Sequence, residues 1–147
     1  MEKKFISEKG FVYFELLMTL FIVSLLFSLT IPSFQSLSSH FEIENWIEQF
    51  TADYYWAQQE AVDSDQWVEI LFKPAFYSYE IRNGNGSLKK VYYDSSIKVT
   101  ENLLNHRIMF NGFGQLAQQS GTITVKNAKI TKKIVIQLLT GQIHVES

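Results

Sequence analysis

Residues Phe11 to Ile31 read FVYFELLMTLFIVSLLFSLTI, twenty-one positions with one charge, Glu15, and with Thr and Ser as the only other polar members. An α-helix rises 1.5 Å per residue, so this run measures about 30 Å, the thickness of a bilayer's hydrocarbon core. A helix this apolar inside a globular core would need cover on every face. The rest of a 147-residue chain is too short to supply that cover, so the run is expected to cross a membrane.

The flanks set the orientation. Lys3, Lys4 and Lys9 precede the run, and the positive-inside tendency places that end in the cytoplasm and the larger C-terminal part outside. A secretory signal peptide also begins with basic residues, but its apolar core is only about 7–15 residues long. Glu15 is the anomaly: a carboxylate within hydrocarbon costs several kcal/mol and by default marks a function with a partner to be named.

Composition narrows the classes. The chain is 46% apolar and 19% charged, ordinary globular values that indicate neither disorder nor several membrane spans. Beyond Gly10 there are ten Lys and Arg against thirteen Asp and Glu. A net acidic head has no global field for nucleic acid, so any contact with DNA would be local. The absence of cysteine removes disulfides, thiolate catalysis and thiolate metal sites.

Working outward from the anchor, Ile43, Ile47, Phe50, Tyr54, Ala57 and Ala61 recur at spacings of four and three, the stripe of an amphipathic helix. Pro32, between anchor and stripe, lacks an N–H and is expected to bend or interrupt the helix. After Asp63-Ser64-Asp65 the period turns to two. Val68, Ile70 and Phe72 share one strand face, and Tyr77, Tyr79 and Ile81 are expected to share another. Asn83-Gly84-Asn85-Gly86 reads as a hairpin turn between strands at 77–82 and 88–93. Further strands are expected near 97–100, 107–110, 122–126, 133–139 and 142–145. The sum is an α+β chain: a long N-terminal helix, transmembrane in its first half and amphipathic in its second, packed on an antiparallel β-sheet head.

No constellation for catalysis stands out. His40, His106 and His144 are scattered, Asp63 and Asp65 fit a solvated turn, and the pairs Gly84/Gly86 and Gly112/Gly114 fit turns better than a phosphate cradle. No enzyme activity, cofactor or metal is expected. Lys126, Lys129, Lys132 and Lys133 form the densest basic group. A solubilising loop accounts for them, and contact with DNA phosphates is the sharper reading. The head's aromatics, among them Trp46, Tyr54, Tyr55, Trp56, Trp67, Tyr77, Tyr79, Tyr92 and Tyr93, are expected mostly in the core or a subunit interface.

Lys9-Gly10-Phe11-Val12-Tyr13-Phe14-Glu15, followed by the apolar run and Pro32, resembles the processing and anchor motif of type IV prepilins. Val12 stands where the family usually has threonine, and Tyr13 and Phe14 where it has leucine and isoleucine. The stretches 55–62, 67–72, 108–114, 121–123 and 140–143 resemble the minor pilin subgroup that contains the pseudopilin GspH and FimT, nearest to its competence members. The resemblance implies cleavage after Gly10 by an aspartyl prepilin peptidase, N-methylation of Phe11, and pairing of Glu15 with a neighbouring subunit's N-terminal amine. It also implies a partition into a cytoplasmic leader 1–10, a transmembrane helix 11–32 and an extracytoplasmic head 33–147, with the amphipathic helix at 33–62 and the β-rich region at 66–146. The implied partners are other minor pilins, a major pilin and the membrane. The implied setting is a competence pilus at the cell surface that takes up DNA, with a tip DNA receptor or a minor pseudopilin of a secretion system as the alternatives.

Overall fold

The computed structural model describes residues 7–117, 120–137 and 141–146, without the side chains of residues 7–10 and 29–39. The expected leader at 1–10 therefore lies largely outside the described residues. Contacts divide the chain into two compact units, Met1–Ser38 and Ser39–Ser147.

One helix, α1 (Ser7–Ser64), contributes to both units, and its helical assignment is not interrupted at Pro32. In the first unit every described large apolar side chain from Phe11 to Phe27 is exposed. Among the described residues none covers them, and the stretch Phe11–Ser28 is long and apolar enough to cross a membrane. Its hydroxyls are satisfied locally: Thr19, Ser24 and Ser28 each donate, at 2.8 Å, to the carbonyl three residues earlier. In hydrocarbon there is no water to take that proton, so an internal acceptor is what makes a hydroxyl tolerable there.

In the second unit α1 carries the core. All six residues of the sequence stripe, Ile43, Ile47, Phe50, Tyr54, Ala57 and Ala61, are buried, together with Trp46. The helix ends where the pattern changes, and it ends on an aspartate. Asp65 takes a left-handed conformation (φ 51°), its N–H reaches the Val62 carbonyl, and the Gln66 N–H reaches that of Ala61. This is the Schellman closure that usually uses glycine, and Asp is among the few residues that tolerate it.

Among the described residues eight strands follow: β1 (Val68–Lys73), β2 (Ser78–Asn83), β3 (Gly86–Tyr92), β4 (Lys98–Glu101), β5 (Arg107–Phe110), β6 (Gly121–Lys126), β7 (Thr131–Ile136) and β8 (Ile143–Glu146). They form two antiparallel sheets rather than one, ordered β3-β2-β1-β5 and β4-β6-β7-β8. Val68, Ile70 and Phe72 of β1, Val99 of β4, Ile123 and Val125 of β6 and Ile134 and Ile136 of β7 join the helix stripe in one core. Fully burying such a side chain is worth about 1.5–3 kcal/mol, so this shared core, rather than helix propensity, holds the second unit.

Two details of the sequence reading are corrected. Tyr77 does not share the strand face of Tyr79 and Ile81. Pro74–Phe76 forms a 3-10 turn, Tyr77 closes it in a left-handed conformation (φ 46°), and β2 begins one residue later. In the Asn83–Gly86 turn only Gly86 takes a positive φ, while the Asn83 side chain accepts the Asn85 N–H at 2.9 Å. The strands consequently run closer to the turn than alternation suggested.

Two loops pack on the end of α1. Gln58 donates to the Gly114 carbonyl at 2.7 Å, and the Tyr54 hydroxyl donates to the Gly141 carbonyl at 3.0 Å. Gly114 has φ 71°, and a Cβ there would lie 2.8 Å from a Val62 methyl. The loop therefore needs glycine for both conformation and space.

Candidate assembly site and head surface

Glu15 lies on the exposed apolar part of α1, one helical turn from Phe11 and from Thr19. It has no hydrogen-bond or ion-pair partner among the described residues. The anchor therefore presents a continuous apolar surface interrupted by one carboxylate. Several kcal/mol of burial cost await any such group in lipid unless a cation meets it. Gly10 and Phe11 are both helical, and the Phe11 side chain is exposed. Pro32 lies within α1, its side chain outside the described residues.

The head is cross-braced by buried acids that the sequence reading did not single out. Asp53, buried on α1, accepts from the Tyr79 hydroxyl of β2 at 2.7 Å, from Lys89 of β3 at 2.6 Å and from Gln49 at 3.2 Å. Burial, reinforced by the hydrogen bond to Asp53, raises the Tyr79 hydroxyl far above the ordinary phenol range. A signal for Asp53 existed, since it falls three residues after Phe50 inside the apolar stripe, where a lone carboxylate needs a partner. Glu69 of β1 is buried between Arg82 of β2 and Arg107 of β5, the latter at 3.1 Å. Lys73 pairs with Glu80 across β1 and β2, and this hydrogen bond holds the Glu80 carboxyl below its usual range.

The four lysines do not form one patch. Lys132 lies opposite Val125, a core residue, so its side chain turns to the helix side and pairs with Glu44 of α1. Lys133 lies opposite Thr124 on the other face, Lys126 ends β6 and Lys129 sits in the β6–β7 turn, all three exposed. Pairing of β4 with β6 brings in a further cation, Lys98, directly opposite Lys126.

The histidines are separate. His40 lies 3.5 Å from Glu44, His106 lies 2.5 Å from Glu101, and His144 is on β8. Among the described residues no cluster of three metal-ligating side chains occurs. The aromatics divide. Trp46, Tyr54 and Tyr79 are buried, whereas Tyr55, Trp56, Trp67, Tyr77 and Tyr92 are exposed.

With this geometry in hand, solved structures give a clear match. The type IV minor pilin FimU of Pseudomonas aeruginosa superposes with a TM-score of 0.61 at 18% identity, covering 76% of this chain and 92% of that one. The minor pseudopilin EpsH from the type 2 secretion system of Vibrio cholerae superposes with a TM-score of 0.59 at 10% identity, covering 72% and 97%. The chain has the pilin fold. No protein-family model matches the sequence, and no curated protein sequence does. The pilin fold explains how two sheets and one amphipathic helix half share a core, and it agrees with the α+β architecture read from the sequence.

Proposed function

We propose that this chain is a minor pilin of a competence type IV pilus, of the ComGD type, acting in assembly rather than catalysis. The observation that carries the reading is the exposed apolar stretch Phe11–Ser28, with Glu15 near its start, in a chain of pilin fold. In this reading a prepilin peptidase cuts after Gly10, and Phe11 becomes the methylated first residue. The head is extracytoplasmic, anchored by a single pass until the subunit enters the pilus.

Assembly then follows from physical chemistry. The Phe11 amine of one subunit and Glu15 of a neighbour offset each other's burial, while the apolar helix faces exchange lipid for one another. The competence setting, and DNA uptake as its outcome, rest on the sequence resemblance. The same anchor and fold also suit a minor pseudopilin of a secretion system.

The test is the intact mass and N-terminal sequence of the protein recovered from membranes that contain the peptidase. A chain beginning at methylated Phe11 is expected. Gly10→Ala is expected to abolish processing, and Glu15→Ala to permit processing but impair incorporation into pili. Recovery of uncut chain beginning at Met1 would overturn the reading, as would normal piliation by both variants. A pilus-tip DNA receptor would in addition show salt-dependent binding of DNA by the head, reduced by Lys126→Ala, Lys129→Ala and Lys133→Ala.

A further inference from the structure

Among the described residues strand β4 is the edge of its sheet, paired with β6 on one side only. The ladder fixes which backbone groups face outward. Asn102 donates to the Thr122 carbonyl at 3.1 Å, so in the alternating antiparallel pattern Thr100 and Lys98 also bond toward β6. Val99 and Glu101 therefore direct their N–H and C=O groups to the open side. That side is a cavity of about 490 Å³, floored by residues 97–101 and walled by Pro74, Tyr77, Tyr93 and His106.

Three properties of this cavity suit an incoming strand. The outward groups of Val99 and Glu101 repeat at two residues, about 6.6 Å, a spacing that extended backbone matches. The buried Tyr93 hydroxyl inside the wall has no hydrogen-bond partner among the described residues, and burial pushes it up to about 12, so it stays a neutral donor. The Glu101 carboxylate is already occupied by His106 and by the Leu103 N–H, which limits its repulsion of an anion.

Charge selects the occupant. Lys98 and Lys126 face each other directly across β4 and β6, and like charges in that position are destabilising. A lysine on an edge strand normally discourages pairing with a neutral or basic strand. An acidic side chain on the added strand would relieve the repulsion and turn that barrier into a preference. We propose that the open edge of β4 is a docking site for an extended segment of another polypeptide carrying an acidic side chain opposite Lys98. The inference is independent of processing at Gly10 and of the Glu15 pairing.

The experiment uses the full chain in detergent micelles with two capped synthetic peptides, Thr-Val-Asp-Val-Thr and its counterpart with Lys in place of Asp. Backbone amide hydrogen exchange is read residue by residue. The acidic peptide is expected to slow exchange at Val99 and Glu101 while leaving Thr100, already bonded to β6, unchanged. Lys98→Glu, at an exposed position where it removes a repulsion, is expected to weaken the acidic peptide about fivefold or more and to favour the basic one. Binding without protection of Val99 and Glu101 would overturn strand addition. Equal binding of both peptides, or an unchanged preference in Lys98→Glu, would overturn the charge selection, and absence of binding by either peptide would overturn the site.

Discussion

Asp53 and Tyr79 meet at 2.7 Å in the interior of the head, joining α1 to β2 with a hydrogen bond between a buried carboxylate and a buried phenol. Because Lys89 also reaches Asp53, the two partners are not equivalent. Tyr79→Phe leaves the carboxylate with its ammonium partner and is expected to cost about 1–2 kcal/mol. Asp53→Ala strands the Tyr79 hydroxyl and opens space beside it, and is expected to cost more. Urea unfolding of the single and double variants measures the difference, and a double-mutant coupling near zero would contradict the bond.

Glu69 depends on two guanidinium groups. Removing either one leaves the other, so Arg82→Met and Arg107→Met are each expected to be mild. Together they leave a buried carboxylate unpaired, and the double variant is expected to lose about 3–5 kcal/mol, more than the sum of the singles. Thermal unfolding of the three variants decides it.

Gly114 combines a left-handed backbone with a 2.8 Å approach to Val62. Gly114→Ala is expected to lose more than about 1 kcal/mol. The companion change Val62→Ala would remove the clash but not the strain, so partial recovery of the melting temperature is the expected pattern.

Alkaline pH should unfold the head before it ionises its buried tyrosines in place. Burial raises the Tyr93 hydroxyl to about 12, and burial likewise raises Tyr54 and Tyr79 well above the ordinary phenol range. A group whose folded-state value lies above its unfolded value of about 10 contributes stability that is complete below pH 10 and is lost as pH rises toward the folded value. Stability is thus expected to fall progressively from about pH 10 upward. Phenolate absorbance and circular dichroism followed together check this, since ionisation of Tyr54, Tyr79 and Tyr93 with the fold intact would contradict it.

Much of the head was legible because burial imposes a period. The stripe from Ile43 to Ala61 is buried at every position read from the sequence, and strand β5 falls at 107–110 as expected. The division into two sheets was not legible. Alternation tells which face a residue occupies but not which strand lies beside it, and the pairing of β1 with β5 joins residues far apart in sequence. The lysines show the same limit. Neighbouring strand residues point to opposite faces, so Lys132 and Lys133 had to separate once both lay on β7, yet only the fold shows Glu44 waiting on the helix side. At the anchor the helix itself was legible, since its unbroken apolar run is helical and exposed among the described residues.

The bonds from Tyr54 to Gly141 and from Gln58 to Gly114 have a mechanical consequence. They tether adjacent turns of α1 to two loops, one following β5 of the first sheet and one preceding β8 of the second. Tension applied along the helix would divide between the two sheets instead of peeling one strand at a time.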